Sequence, residues 1–242
     1  MKVRVSVVTA AAELPWGSVL APGRGLVYDV LGRVAPDLGR QLHEHGMGAH
    51  GMVPVGHGAP VFPTARRARG KYAAGGAGVV EFGSPVPEVV QALGEGLARR
   101  ELLDWGGVAL RVTGVEVVSP PSCASGRVRL RTATPVVMKG SGQDENGDLV
   151  TRQAWLLPSE PEWAEYFQNN LVRKAETLGL DPGVELESVT WIGAKRSFRV
   201  GGGAKPGAPV EAELSGPPET LRALWSWGLG QANAAGFGWV QS

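Results

Sequence analysis

Cysteine occurs once in the 242 residues, at Cys123. An internal disulfide and a thiolate-rich metal cluster are therefore excluded, and a reducing cytoplasm is the natural setting. Net charge is nearly absent too: 24 Lys and Arg against 23 Asp and Glu leave +1. Bulk electrostatics does not announce a nucleic-acid partner, and a basic binding surface has to be local. No apolar run approaches the length of a membrane span, so no membrane partner is expected. The opening MKVRVSVVT mixes charged and apolar residues with no unbroken apolar stretch, which argues against a signal peptide. Histidine is scarce and concentrated: His43, His45, His50 and His57 all fall between Leu42 and Gly58. What is abundant is glycine (36) and proline (18), the composition of short elements joined by many turns rather than of a helical bundle.

Val3, Val5 and Val7 alternate with Lys2, Arg4 and Ser6, the period of a half-buried strand. Residues 24–34 place Leu26, Val27, Val30, Leu31 and Val34 on one helical side, and Pro36 opens a second short helix ending near Gly46. A strand at 79–82, a helix introduced by Pro85 and Pro87, and a strand at 108–118 complete a first round. SPPSCASG (119–126) is the best break in the chain. A second round runs from a strand at 127–137 through a helix from Pro161, strands near 184–192 and 196–200, and a helix from Pro218, to the short apolar end FGWV. The expected architecture is α+β: two tandem ferredoxin-like (RRM-like) domains, 1–118 and 127–242, joined by a linker at 119–126. A single larger α+β domain would leave the same signals.

A metal could explain the histidine cluster, with His43, His45 and His50 as ligands. His43 and His45, however, are two apart on a helix and point in different directions, and no cysteine lies near, so no metal site is expected. Leu38, Leu42 and His45 share one helical stripe, which makes His45 a packed residue. His50 and His57 lie in glycine-rich sequence and read as exposed loop residues. His43 is off the apolar stripe, in the helix's last turn where the dipole favours imidazolium, and is the histidine placed for proton transfer. On the first helix Tyr28 points away from its apolar neighbours.

Two basic groups are candidates for a local binding surface: Arg66, Arg67, Arg69 and Lys71 in one loop, and Lys195, Arg196 and Arg199 in a hairpin. Trp225 is in register with Leu221 and Leu224 and reads as core rather than as a base-stacking platform. Near the C-terminus GLGQANAAGFG (228–238) has paired glycines, Gly228 with Gly230 and Gly236 with Gly238. Such glycines permit positive φ and close approach, and exposed N–H groups in such a loop can cradle an anion. A dinucleotide fingerprint needs a following helix, and here none follows.

That loop, preceded by GLVYDVL (25–31), LHEHG (42–46), VPEVVQALGEGLA and TATPVVM in order, resembles the CRISPR-associated repeat-processing endoribonucleases, the sixth Cas family, across nearly the whole chain. The resemblance implies tandem ferredoxin-like domains and metal-independent cleavage of precursor CRISPR RNA within its repeats, by 2′-OH attack giving 2′,3′-cyclic phosphate and 5′-OH ends. By the same resemblance His43 is the catalytic histidine, Tyr28 its companion, and Gly228, Gly230, Gly236 and Gly238 the RNA-binding glycine loop. The implied partners are CRISPR repeat RNA, as precursor and as processed guide, with an effector complex and a homodimer left open, and no cofactor. Some members carry a lysine shortly after the histidine, whereas residues 46–50 here read Gly-Met-Gly-Ala-His. His50 and His45 are auxiliary candidates for that role, as is an arginine of the 66–69 run. The alternative reading is a non-catalytic guide-RNA-binding subunit of an effector complex.

Overall fold

The structure, a computed structural model, describes residues 1–66, 69–140, 142–143, 149–150, 155–200 and 203–242. The alternation of the opening valines is realised in β1 (Lys2–Thr9), whose Val3, Val5 and Val7 are buried. α1 (Ala21–Val34) and α2 (Pro36–Glu44) follow, then a two-residue strand β2 (Gly56–His57), β3 (Gly76–Gly83), α3 (Pro87–Ala98) and β4 (Ala109–Val118). The sheet order is β2-β3-β1-β4, antiparallel throughout, with Leu102–Asp104 added outside β4. That order, with α1 and α3 as the two crossovers, is the ferredoxin-like arrangement. Leu26, Val27, Val30 and Leu31 of α1 meet Val89, Val90, Leu93 and Leu97 of α3 in the first core. Gly96 permits the close approach, since a Cβ there would lie 2.5 Å from Val30 Cγ1.

The second round repeats the pattern. It comprises β5 (Arg127–Arg131), α4 (Trp163–Thr177), β6 (Glu185–Ile192), a hairpin of β7 (Arg196–Val200) and β8 (Gly203–Gly207), β9 (Val210–Ser215) and α5 (Pro218–Trp227). The sheet order is β6-β9-β5, and the place of a fourth strand is held by a single bridge, Thr132 to Val240. The expected second sheet strand at 196–200 pairs only within its own hairpin. The sheet is completed instead by VEAELS (210–215), whose Val210, Ala212 and Leu214 are buried. Alanine and glutamate are poor strand formers, and burial between two strands outweighs that local preference. No helix or strand falls within 119–126, and Cys123 there is buried in the second core. Trp225 is in that core as well.

The two rounds share an apolar seam. Val137, Phe198, Ala235 and Phe237 from the second round pack into the first core. Lys2, read from its alternation as an outward side chain, is fully buried in this seam: Nζ donates to the Val240 carbonyl at 2.7 Å and sits 3.9 Å above the Trp225 ring. His57, expected on the surface, is also fully buried. Its ring fills a slot between α1 and the C-terminal loop, where a Cβ on Gly23 or on Gly236 would collide with it at 2.3 and 2.6 Å. Nδ1 lies 3.1 Å from the Gly58 carbonyl, and Nε2 has no hydrogen-bond partner. Burial pushes this imidazole down to about 4, against the pull of the Gly58 and Ala234 carbonyls.

Packing at three positions sets measurable differences in stability. Gly238 has φ +61°, and a Cβ there would meet the Leu229 carbonyl oxygen at 1.7 Å. Gly238→Ala should therefore cost at least ~2 kcal/mol in urea unfolding. Gly94→Ala, in open space on α3, should stabilise by about 0.5–1 kcal/mol. For His57, the unfolded ring binds its proton near pH 6.5 and the folded ring only near 4. Its contribution is thus complete above pH 6.5 and is lost as pH falls toward 4. Between pH 7 and pH 5 the wild type should lose about 2 kcal/mol more than His57→Gln; parallel pH profiles would contradict this assignment.

Candidate active site

The two residues singled out for chemistry come together. α1 and α2 are joined by Ala35 alone, and Pro36 starts α2 at once. Gly39 lets α2 lie close across α1, a Cβ there being 3.2 Å from Leu31 Cβ. With Leu42 fully buried beneath α2, the adjacent His43 is held exposed in its last turn. Its ring meets Tyr28 edge to face, centroids 4.9 Å apart at 83°. Tyr28 is half-buried and packs against the first core rather than standing free. Burial raises its hydroxyl above the ordinary tyrosine value, opposed by the Arg24 guanidinium 5.7 Å from the ring centre. The phenol is thus a neutral hydrogen-bond donor at neutral pH.

Tyr28 also lines a cleft of about 530 Å³ at the seam. α1 contributes Arg24, the loop after α2 contributes Met52 and Val53, the β7–β8 hairpin contributes Val200 and Lys205, and the C-terminal loop contributes residues 231–235. Among the described residues not one lining side chain is a carboxylate. Lys205 is half-buried, and its pKa is lowered by burial first, then by Lys139 and by Arg24. Lys139 and Arg24 thus both disfavour charge on Lys205, and among the described residues none of the three has an acidic partner. Such a cluster is relieved by an anion. Arg24 is within reach of sequence reasoning, since it lies one helical turn before Tyr28. Lys139 and Lys205 come from distant segments and carry no local signal.

The glycine loop borders the cleft through residues 231–235. Gly228, Gly230, Gly236 and Gly238 are all buried with positive φ. The N–H groups of Gly228, Gly236 and Gly238 donate within the protein, to Leu224, Asn233 and Pro135 carbonyls. Those three glycines therefore shape the loop through their backbone bonds. Asn233 holds it: Nδ2 donates to the Leu229 and Phe237 carbonyls at 3.1 and 2.9 Å, and Oδ1 accepts from the buried Lys174 Nζ at 2.5 Å. The same ammonium donates to the Gly228 carbonyl at 2.6 Å, and its burial drives its pKa well below the ordinary lysine value. Ala232, on the cleft wall, is held at φ 58°, a conformation that costs a residue with a Cβ about 1–2 kcal/mol.

The remaining candidates are dispersed. His45 is exposed, because α2 ends at Glu44 and the chain leaves the helical register before the next turn of the stripe is complete. His50 is engaged by Glu176 of α4, Nε2 to Oε2 2.7 Å. Arg66 and Arg69 are exposed, Lys71 is paired with Glu13 at 2.7 Å, and Arg67 lies outside the described residues. Lys195 and Arg196 are exposed at the start of the hairpin. Among the described residues no three His, Cys, Asp or Glu side chains gather as a metal site, and no helix is long and apolar enough to cross a membrane.

Comparison with known proteins bears on the family and the fold. The family model for the CRISPR associated protein Cas6, C-terminal, matches residues 118–242. No curated protein matches the chain in sequence. Among solved structures, a RAMP protein described as binding different RNA substrates is similar at TM-score 0.82 and 15% identity, over 100% of this chain and 98% of that one. The product of a Cas6-related gene from Pyrococcus furiosus is similar at TM-score 0.78 and 14% identity, over 100% and 97%. A CRISPR associated protein Cas6 is similar at TM-score 0.76 and 19% identity, over 100% and 98%. At these identities the likeness is one of fold.

Proposed function

The chain belongs to the CRISPR-associated Cas6 family, and on that premise we propose that it is an endoribonuclease that cuts precursor CRISPR RNA within its repeats without a metal. The observation that carries the reading is the edge-to-face pair of Tyr28 and His43 at a cleft to which Arg24 and Lys205 contribute positive charge and, among the described residues, no carboxylate contributes. Cleavage by the neighbouring 2′-OH needs a group to take that proton, a group to give one to the departing 5′-oxygen, and donors for the crowded phosphate oxygens. Imidazole can do either proton job near neutral pH. His43 handles one of the two. Tyr28, kept neutral by its burial, donates a hydrogen bond and fixes the imidazole edge. Arg24 and Lys205, reinforced by Lys139, supply the positive charge that a lysine after the histidine provides in other members. The products are a 2′,3′-cyclic phosphate and a free 5′-OH. A cation cluster with no acidic partner among the described residues also supports RNA as the ligand, since phosphate can neutralise it.

Labelled repeat RNA from the source genome, incubated in EDTA with wild type and His43→Ala, tests the reading. Wild type should cut at one position and leave the cyclic phosphate. His43→Ala should be slower by roughly 10²–10⁴-fold while still binding. Tight binding with no cutting by the wild type would favour the guide-holding subunit instead. Lys205→Met offers a separate check: it should lower the salt dependence of RNA affinity by about one unit of log–log slope. An unchanged slope would remove Lys205 from the phosphate path.

A further inference from the structure

A second groove, of about 450 Å³, shares no lining residue with the first cleft. The β7–β8 hairpin stands between the two, giving Lys205 to one and Arg196 to the other. Its most unusual occupant is Trp16, on the short turn before α1, which keeps 37% of its surface exposed. Most tryptophans of this protein are buried, and a large ring this exposed keeps apolar surface against water. Trp16 is not loose. Its ring lies 5.7 Å from Tyr72 and 5.8 Å from the buried Phe198, and the Arg196 guanidinium is 5.5 Å from its centre. Tyr72 is itself fixed by its hydroxyl, which donates to the Pro60 carbonyl at 2.8 Å.

Among the described residues the groove lining includes Arg196 and Lys71 and no carboxylate, and Glu13, outside the lining, pairs with Lys71. Arg196 has no ion pair among the described residues, and Arg66 and Arg69 are exposed on the adjoining loop. A rigid aromatic face beside an unpaired guanidinium is the combination that holds a stacked base and the phosphate next to it. A protein segment docking here would need an acidic character that nothing else in the groove requires.

We propose that this groove holds an unpaired nucleobase of the repeat RNA, stacked on Trp16 with its phosphate on Arg196. The proposal rests on the RNA-cutting reading and extends it, because a strand leaving the first cleft along the hairpin arrives at this groove. It makes Trp16 a residue that selects unpaired RNA at a point separate from the cut.

The test is binding and cleavage of the repeat RNA, intact and as a set in which each unpaired nucleotide in turn is abasic. Wild type, Trp16→Ala and Trp16→Tyr are compared. One abasic position should weaken wild-type binding by roughly tenfold, the scale of one base–aromatic stack. Trp16→Ala should show the same loss on intact RNA and no further loss at that position, and Trp16→Tyr should restore most of it. If Trp16→Ala binds intact RNA as the wild type does, or if its penalty simply adds to that of every abasic site, the stacking slot is overturned while the nuclease reading stands. If the wild type neither binds nor cuts repeat RNA, the nuclease reading falls first and the slot with it.

Discussion

The buried side chain of Asn233 holds together a loop that would otherwise have no reason to keep its shape. Its amide bridges the carbonyls of Leu229 and Phe237, and its oxygen takes a hydrogen bond from Lys174, which also reaches the Gly228 carbonyl. No water replaces these bonds in a buried site, so losing one leaves polar groups unsatisfied at a cost of about 1–3 kcal/mol. Closed in this way, the loop drives Phe237 into the first core and sets Gly236 against the ring of His57. The seam between the two ferredoxin-like rounds, and the cleft that opens on it, both depend on that closure.

The cleft departs from what stability alone would favour. Lys139 and Arg24 both repel Lys205, and Ala232 is held in a left-handed conformation on its wall. Conflicts of this kind collect where a protein binds something. Several other charges are matched: the second sheet pairs Arg129 with Glu213 and Arg131 with Glu211, and the first pairs Arg4 with Glu81 and Glu116. A net charge of +1 thus conceals local groups of cations beside matched pairs. This is why the overall balance is silent about an anionic partner.

Much of the architecture is legible because burial on one face imposes a period. β1, α1, α3, α4 and α5 follow their apolar spacing, and the same spacing puts Tyr28 and His43 off the buried stripes where they meet. The failures have local causes. Helical period assigns His45 to a position the helix never reaches. His57 sits in a strand of two residues flanked by glycines, too short for any period to show its burial. The strand at 210–215 alternates with alanine and glutamate, and only its two neighbours make it a strand. Spacing finds the glycine loop, and the structure adds that positive φ is required there for passing close to other backbone. Lys139 and Lys205 owe their place to tertiary packing alone.

In the proposed reaction, the corner formed by His43 and Tyr28 in the first round depends on the C-terminal loop of the second being held closed. Single-turnover cleavage of repeat RNA by Asn233→Ala, at a temperature where circular dichroism shows both rounds folded, tests that dependence. His43, Tyr28, Arg24 and Lys205 are all intact in that variant. Its rate should be lower by roughly a hundredfold, the scale expected when reacting groups are misplaced by about an ångström. Cleavage at the wild-type rate would show that the loop's closure is not required.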